Sequence, residues 1–290
     1  MSTEHNFNSI SPSAKVLLLM KGYTNIPFAR QAAELISLPD TYVPDYDKTD
    51  LVFWLRLAHF ESRYTSIDQL LSDLTLTNVL ELSSGFSFRG LEAVKQQDVH
   101  YIDTDLSGII EKKKEMVAAM QTTESNPIGK LELLPLNALD EKQFTEIVSR
   151  FRPGPVVIVN EGLLMYLNSR EKEQLCSIIH NVLKQRGGCW ITADIYIKNP
   201  PGNTSLNFND KFQQFLDQHN IEENKFDSLE AAEAFFIKNG FVIEKEAEPD
   251  YSKVSALPYV MKNIPPERLT EMGKAGKIQT SWRLKFAQGK

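Results

Sequence analysis

Cysteine is scarce in this sequence. Cys176 and Cys189 are the whole complement, too few for a disulfide framework. Cys176 sits in a helical apolar pattern and Cys189 opens an apolar strand, so both read as buried thiols and a reducing compartment is expected. Long hydrophobic runs are also missing. Val16–Met20 is far shorter than a signal core or a membrane span of about 20 residues, and no basic segment precedes it. The expectation is a cytoplasmic protein with no membrane partner. Glycine and proline stand at 14 each, without repeats or low-complexity tracts, which excludes a collagen-like or largely disordered chain. Positive charge is not in excess: 32 Lys and Arg face 38 Asp and Glu, for a net charge of −6. That balance argues against nucleic-acid binding as the main role. None of the five histidines has metal-ligand spacing, so no metal is expected.

What is present is an ordinary globular composition, 42% hydrophobic and 24% charged over 290 residues, a length that suits one large α/β domain with additions or two small domains. Residues 1–75 read as a helical N-terminal cap. Helices are expected over Ala14–Gly22, Pro27–Leu38, Asp50–Glu61 and Ser66–Leu74, with a loop at Thr41–Thr49. From residue 76 the period changes. Short apolar strands at Asn78–Leu82, Val99–Ile102, Leu131–Leu136, Pro155–Asn160 and Gly188–Ile197 alternate with helices, and Phe241–Glu248 and Thr280–Ala287 complete seven. Ser169–Arg186 is the best-marked helix, with Asn168 and Glu171 set for a capping box and Gly187-Gly188 as its stop. Repeated strand–helix alternation predicts an α/β, Rossmann-like, doubly wound and mostly parallel seven-stranded sheet over residues 76–290, with an insert at about 198–227. Such a sheet binds ligands at the carboxyl ends of strands one and four, where the winding reverses.

The residues at those strand ends carry the chemistry. Strand one runs into Glu81-Leu-Ser-Ser-Gly-Phe-Ser-Phe-Arg-Gly90, a small-residue turn that lets a ligand approach the backbone. The Gly85-to-Gly90 spacing is that of a P-loop, but Leu91 and Glu92 stand where Lys and Ser/Thr would be, so triphosphate binding is not expected. The three-glycine dinucleotide fingerprint is absent too. Strand two ends at Asp103-Thr-Asp105, about 20 residues after the turn, where a carboxylate can accept from a ribose diol. Strand three ends at Asn137-Ala138, suited to an adenine edge, and strand four at Asn160-Glu161-Gly162.

The segments ELSSGFSFRGL, YIDTDLSGIIEKK and VVIVNEGLLMYL resemble motifs of S-adenosylmethionine-dependent methyltransferases. The resemblance is to the leucine carboxyl methyltransferases and the O-methyltransferases of tetracenomycin-type polyketide synthesis. KGYTNIPFA (21–29) and SRYTSID (62–68) extend it, so that it covers about residues 14–195. The resemblance implies a class I methyltransferase with S-adenosylmethionine as cofactor. Arg63 would hold the methionine carboxylate, Gly85 would admit the cofactor, Asp105 would bind the ribose, and Asn137 and Ala138 would contact adenine. Glu161 would lie near the methionine end, and Lys15 stands at a basic position of the family. Two departures are Ser83-Ser84 in the usual glycine-rich turn and Asn137 where an acid reads the adenine amine.

The expected reaction is O-methylation of a carboxylate or hydroxyl on a small molecule, with a protein C-terminal carboxylate as the less favoured acceptor. A carboxylate needs no base, whereas a hydroxyl would, and the sequence offers no compelling one. His59, one helical turn before Arg63, could face the crevice, but a solvated or packed histidine is the favoured reading. Tyr166, Phe208 and Phe212 are candidate acceptor contacts; Phe208, Phe212 and Phe215 share one face of a helix expected over about Asp210–His219. Two rivals remain: a nucleotide-dependent oxidoreductase on the same fold, and a cofactor-binding module without catalysis.

Overall fold

The structure is a computed structural model that describes residues 11–48, 50–121, 127–198, 214, 217–274 and 277–287. Phe208, Phe212 and Phe215, with most of the helix expected around them, lie outside the described residues.

Three helices come first: α1 (Ser11–Lys21), α2 (Ala29–Ser37) and α3 (Leu51–Leu71). The sequence suggested two helices where α3 runs unbroken. No glycine or proline stands between the two expected segments. Thr65 and Ser66 turn their hydroxyls back to the carbonyls of Ser62 and Arg63, at 3.1 and 2.7 Å, and stay helical. Asp50 caps α3 by accepting from the amides of Val52 and Phe53. The continuity matters, because it puts His59 and Arg63 one turn apart on one rigid element.

The sheet then alternates with helices: β1 (Asn78–Leu82), α4 (Arg89–Gln96), β2 (His100–Asp105), α5 (Ser107–Met120), β3 (Lys130–Pro135), α6 (Glu141–Val148), β4 (Val156–Asn160), a 3-10 turn at Leu164–Tyr166, α7 (Ser169–Arg186) and β5 (Gly188–Tyr196). After the insert come α8 (Ile221–Asn224), α9 (Leu229–Lys238), β6 (Phe241–Glu246), α10 (Leu257–Asn263), α11 (Pro266–Lys274) and β7 (Gln279–Phe286). The strand order is β3-β2-β1-β4-β5-β7-β6. β1 to β5 are parallel, and β7 runs antiparallel between β5 and β6. This is the expected doubly wound sheet, with the winding reversal between β1 and β4.

Alternation along the strands sorts the core into two layers. Leu80, Leu82 and Ile158 pack with Leu175, Ile179, Val182 and Trp190 on one face. Val79, Val157, Val159 and Ile191 pack with Ile67, Leu70 and Val94 on the other. The strands are covered on both sides, which is why β1 and β4 are buried along their whole length. The Asn168–Glu171 capping box forms as expected, and Gly187 ends α7 at φ +71°.

Candidate functional site

The carboxyl ends of β1, β2 and β4 open into a cavity of about 310 Å³. Its wall carries Arg63, Gly85, Asp105, Asn137, Ala138, Glu161 and Tyr166 together. Lys15 is elsewhere: it is exposed on α1 and does not line the cavity, whereas Lys21 on the same helix does.

At the β1 end the wall is mostly backbone. Ser83 and Gly85 both take positive φ, +49° and +52°. A Cβ built on Gly85 meets nothing within 4 Å, so the glycine leaves its side of the turn open to the cavity. The Gly85 amide donates to Asp105 Oδ2 at 2.7 Å, and the Leu106 amide donates to Oδ1 at 2.7 Å. Burial raises the Asp105 pKa despite these two bonds. An ionised carboxylate offers about four lone-pair sites, so two remain for a diol. Asn137 is exposed at the rim, its Oδ1 accepting from the Leu139 amide, and Ala138 is buried beside it.

Beneath the turn lies a buried polar group that the sequence did not reveal. Asp103 pairs with Lys113 at 2.7 Å, both closed off from solvent. Lys113 also donates to Ser84 Oγ at 3.0 Å, which ties the turn to α5. Tyr101 donates its hydroxyl proton to Glu81. Burial, with Asp103 nearby, pushes the Glu81 carboxyl up to about 8.

The other end of the cavity is built from charged side chains. Asp194, near the carboxyl end of β5, is fully buried and ties the segment after β4 together. It accepts from Arg63 Nη2 at 2.9 Å, Asn160 Nδ2 at 2.7 Å, and the amides of Gly162, Leu163 and Leu164 at 2.6, 2.7 and 3.0 Å. Glu161 is thereby aimed at Lys21, 3.0 Å away, and lies 3.7 Å from Arg89. Burial alone would raise the Glu161 pKa; Lys21, Arg63 and Arg89 outweigh it and bring it to about 2. Arg63 Nε is buried and has no hydrogen-bond partner among the described residues, an unmet donor at the place where the resemblance puts a ligand carboxylate.

His59 takes the less favoured of its two sequence readings. It lines the cavity, with Nε2 2.6 Å from the hydroxyl of Tyr196 at the end of β5. Asp194, Tyr196, Lys21 and Arg89 were all missed from sequence. Asp194 had a signal: a lone acid inside the apolar strand CWITADIY must find partners. Tyr166 stands in the wall as a candidate acceptor contact, edge-on to His219 at 6.2 Å. Among the described residues, no cluster of His, Cys, Asp and Glu could hold a metal, and no helix is long and apolar enough to cross a membrane.

Strand order, winding reversal and crevice define the Rossmann-like fold of class I methyltransferases. No family model matches the chain. It is similar to leucine carboxyl methyltransferase 1 of Kluyveromyces lactis, at 29% identity over 128 residues, covering 43% of this chain and 34% of that protein. The match therefore spans about a third of the curated relative's length. Similar solved structures include magnesium protoporphyrin IX methyltransferase from Synechocystis PCC 6803 with bound SAH (TM-score 0.49, 10% identity, 91% of this chain and 96% of that chain). An O-methyltransferase family protein from Burkholderia thailandensis is another (TM-score 0.48, 13% identity, 82% and 59%). The strand order of the chain itself carries the fold assignment.

Proposed function

We propose that this chain is an S-adenosylmethionine-dependent O-methyltransferase acting on a carboxylate or hydroxyl of a small molecule. The carrying observation is the joint placement of Gly85 and Asp105. An open glycine turn and a carboxylate with two remaining acceptor sites face one cavity, 2.7 Å apart through the Gly85 amide. Three features fit the cofactor: the space over Gly85, the acceptor capacity of Asp105 for a ribose diol, and the unmet Arg63 Nε for a methionine carboxylate. Asn137 and Ala138 would flank the adenine. The similarity of 43% of the chain to leucine carboxyl methyltransferase 1 points the same way.

Bound there, S-adenosylmethionine supplies a methyl group activated by a sulfonium. The chain's own work is to bind, orient and exclude water. Asp105 orients the ribose, and Arg63, held by Asp194, fixes the amino-acid end. Lys21 and Arg89 keep Glu161 ionised beside it. The cavity walls, including Phe60, Met165 and Tyr166, suit a small acceptor better than a folded protein's terminus. The buried free thiols Cys176 and Cys189 suit a reducing compartment such as the cytoplasm.

Calorimetry tests the reading directly. S-adenosylmethionine should bind and NADH should not. Binding of NADH alone would move the assignment to an oxidoreductase on the same fold. Cofactor binding without turnover on any carboxylate or hydroxyl acceptor would leave a binding module.

A further inference from the structure

His59 and Tyr196 form a hydrogen-bonded pair in the cavity wall that the cofactor reading leaves unused. They come from different elements, α3 and β5, and both line the cavity. The bond between Nε2 and the Tyr196 hydroxyl is 2.6 Å, and the rings meet edge to face at 5.7 Å. Arg63, one turn along α3, lies over the Tyr196 ring at 5.5 Å. The pair is therefore rigid and adjoins the methionine end of the proposed cofactor site.

The proton in this bond has one sensible place. Among the described residues the Tyr196 hydroxyl has no acceptor other than His59 Nε2. Burial keeps the phenol protonated. Tyr196 therefore donates to Nε2. A neutral imidazole whose Nε2 accepts carries its proton on Nδ1. Nδ1 makes no hydrogen bond among the described residues, and His59 is half-buried in the cavity wall. The wall thus presents a fixed N–H donor beside the reacting end.

We propose that His59, oriented by Tyr196, donates a hydrogen bond from Nδ1–H to the carboxylate of the methyl acceptor and so positions it for transfer. The proposal rests on the methyltransferase reading and names the acceptor class and its contact. A carboxylate oxygen forms the new O–CH3 bond as the S–CH3 bond breaks, and the bonding pair stays on sulfur. Negative carboxylate and positive sulfonium become neutral ester and thioether, and no proton moves. A hydroxyl acceptor would need a base, and His59 has no free lone pair for that role, because Nε2 accepts from Tyr196 and Nδ1 carries the proton. Burial and Arg63 lower its pKa to about 3, with Lys225 acting in the same direction and Glu161 opposing. Tyr196 acts through His59 and is a positioning residue.

The test uses the full chain with S-adenosylhomocysteine and two probes, benzoate and benzyl alcohol. Imidazole NMR of the wild type should show His59 as the neutral Nδ1–H tautomer from about pH 5.5 to 8.5, with no titration near the ordinary histidine value of about 6.5. Benzoate should shift the His59 signals and benzyl alcohol should not. His59→Gln, which reaches toward Tyr196 but lacks the Nδ1 donor, should weaken benzoate about tenfold or more, the loss of one hydrogen bond to a charged group. His59→Asn places an amide N–H near the Nδ1 position and should recover most of that loss. Tyr196→Phe should release the tautomer to a mixture. S-adenosylhomocysteine affinity should hold within about twofold in His59→Gln. An Nε2–H tautomer, titration of His59 near its ordinary value, or benzoate binding indifferent to His59→Gln would each overturn the proposal alone. Failure of the wild type to bind S-adenosylhomocysteine would overturn the methyltransferase reading and this proposal with it.

Discussion

The two ends of the cavity are held in place by different physics. At the β1–β3 end, the shape comes from backbone at strand ends: the turn at Ser83–Gly85, the Asp105 carboxylate held by two amides, and Asn137-Ala138. At the β4–β5 end, the shape comes from side chains that hold one another: Asp194 on Arg63, Glu161 on Lys21 and Arg89. Removing a side chain that faces the cavity at the first end should take away a proposed ligand contact and leave the scaffold standing. Removing one at the second leaves a buried charge without its partner, so stability falls before any ligand is considered. One cavity should therefore show two mutational signatures.

Asp194→Ala gives the largest expected effect. It strips the partner from buried Arg63 and the acceptor from Asn160 and three amides. Breaking a buried ion pair from one side costs about 3–5 kcal/mol, and urea unfolding should show a loss of at least that size. A loss below about 1 kcal/mol, the range of an exposed pair, would erase the contrast between the two ends.

Glu161→Gln comes next and adds a pH signature. The folded pKa is lowered from an ordinary 4.5 to about 2. The stabilisation is therefore fully present above about pH 4.5 and is lost as pH falls through about 2. At 1.36 kcal/mol per pKa unit the variant should be about 3 kcal/mol less stable at pH 7. Unfolding curves of wild type and variant should converge near pH 2. Parallel curves throughout would mean that Glu161 is not held by its cations.

Asp105→Ala belongs to the other signature. Its two amide partners, Gly85 and Leu106, line the cavity, where water can take the place of the carboxylate, so Tm should change little. Calorimetry should instead show cofactor binding weaker by about 1.5–3 kcal/mol. Asp103, two residues earlier, reads from sequence as the natural control for this experiment. The buried pair with Lys113 makes it a stability residue, so Asp103→Ala should lower Tm steeply. Reversal of the two outcomes would exchange their roles.

What the sequence made legible follows the same division. Gly85, Asp105 and Asn137-Ala138 lie next to strand ends, so placing the strands places them. The capping box on α7 and the apolar β4 fixed two of the main elements by local pattern alone. Asp194 with Arg63, Tyr196 with His59, and Lys21 with Glu161 are separated by more than a hundred positions. No local pattern links such residues; they meet only when α1, α3 and β5 converge over the sheet. His59 looked like a packed or solvated histidine because its partner arrives 137 positions later.

The smallest expected effect tests a pair of lysines on one helix. The family resemblance pointed to Lys15, whereas the cavity wall carries Lys21. Six positions on a helix turn the chain by about 600°, so the two side chains stand about 120° apart around the axis, and Lys21, not Lys15, shares the cavity face with Ala14, Leu17 and Leu18. Lys15 is exposed, and an exposed lysine removed from the surface changes stability by no more than about 0.5 kcal/mol. Lys15→Ala should leave both Tm and cofactor affinity at wild-type values. Lys21→Ala takes from Glu161 the cation at 3.0 Å and leaves Arg63 and Arg89 to balance it. Its loss should be measurable in both readouts, though smaller than that of Glu161→Gln, because two cations remain. If Lys15→Ala weakens the cofactor and Lys21→Ala does not, α1 is rotated in the functioning protein and the basic position of the family is the working one.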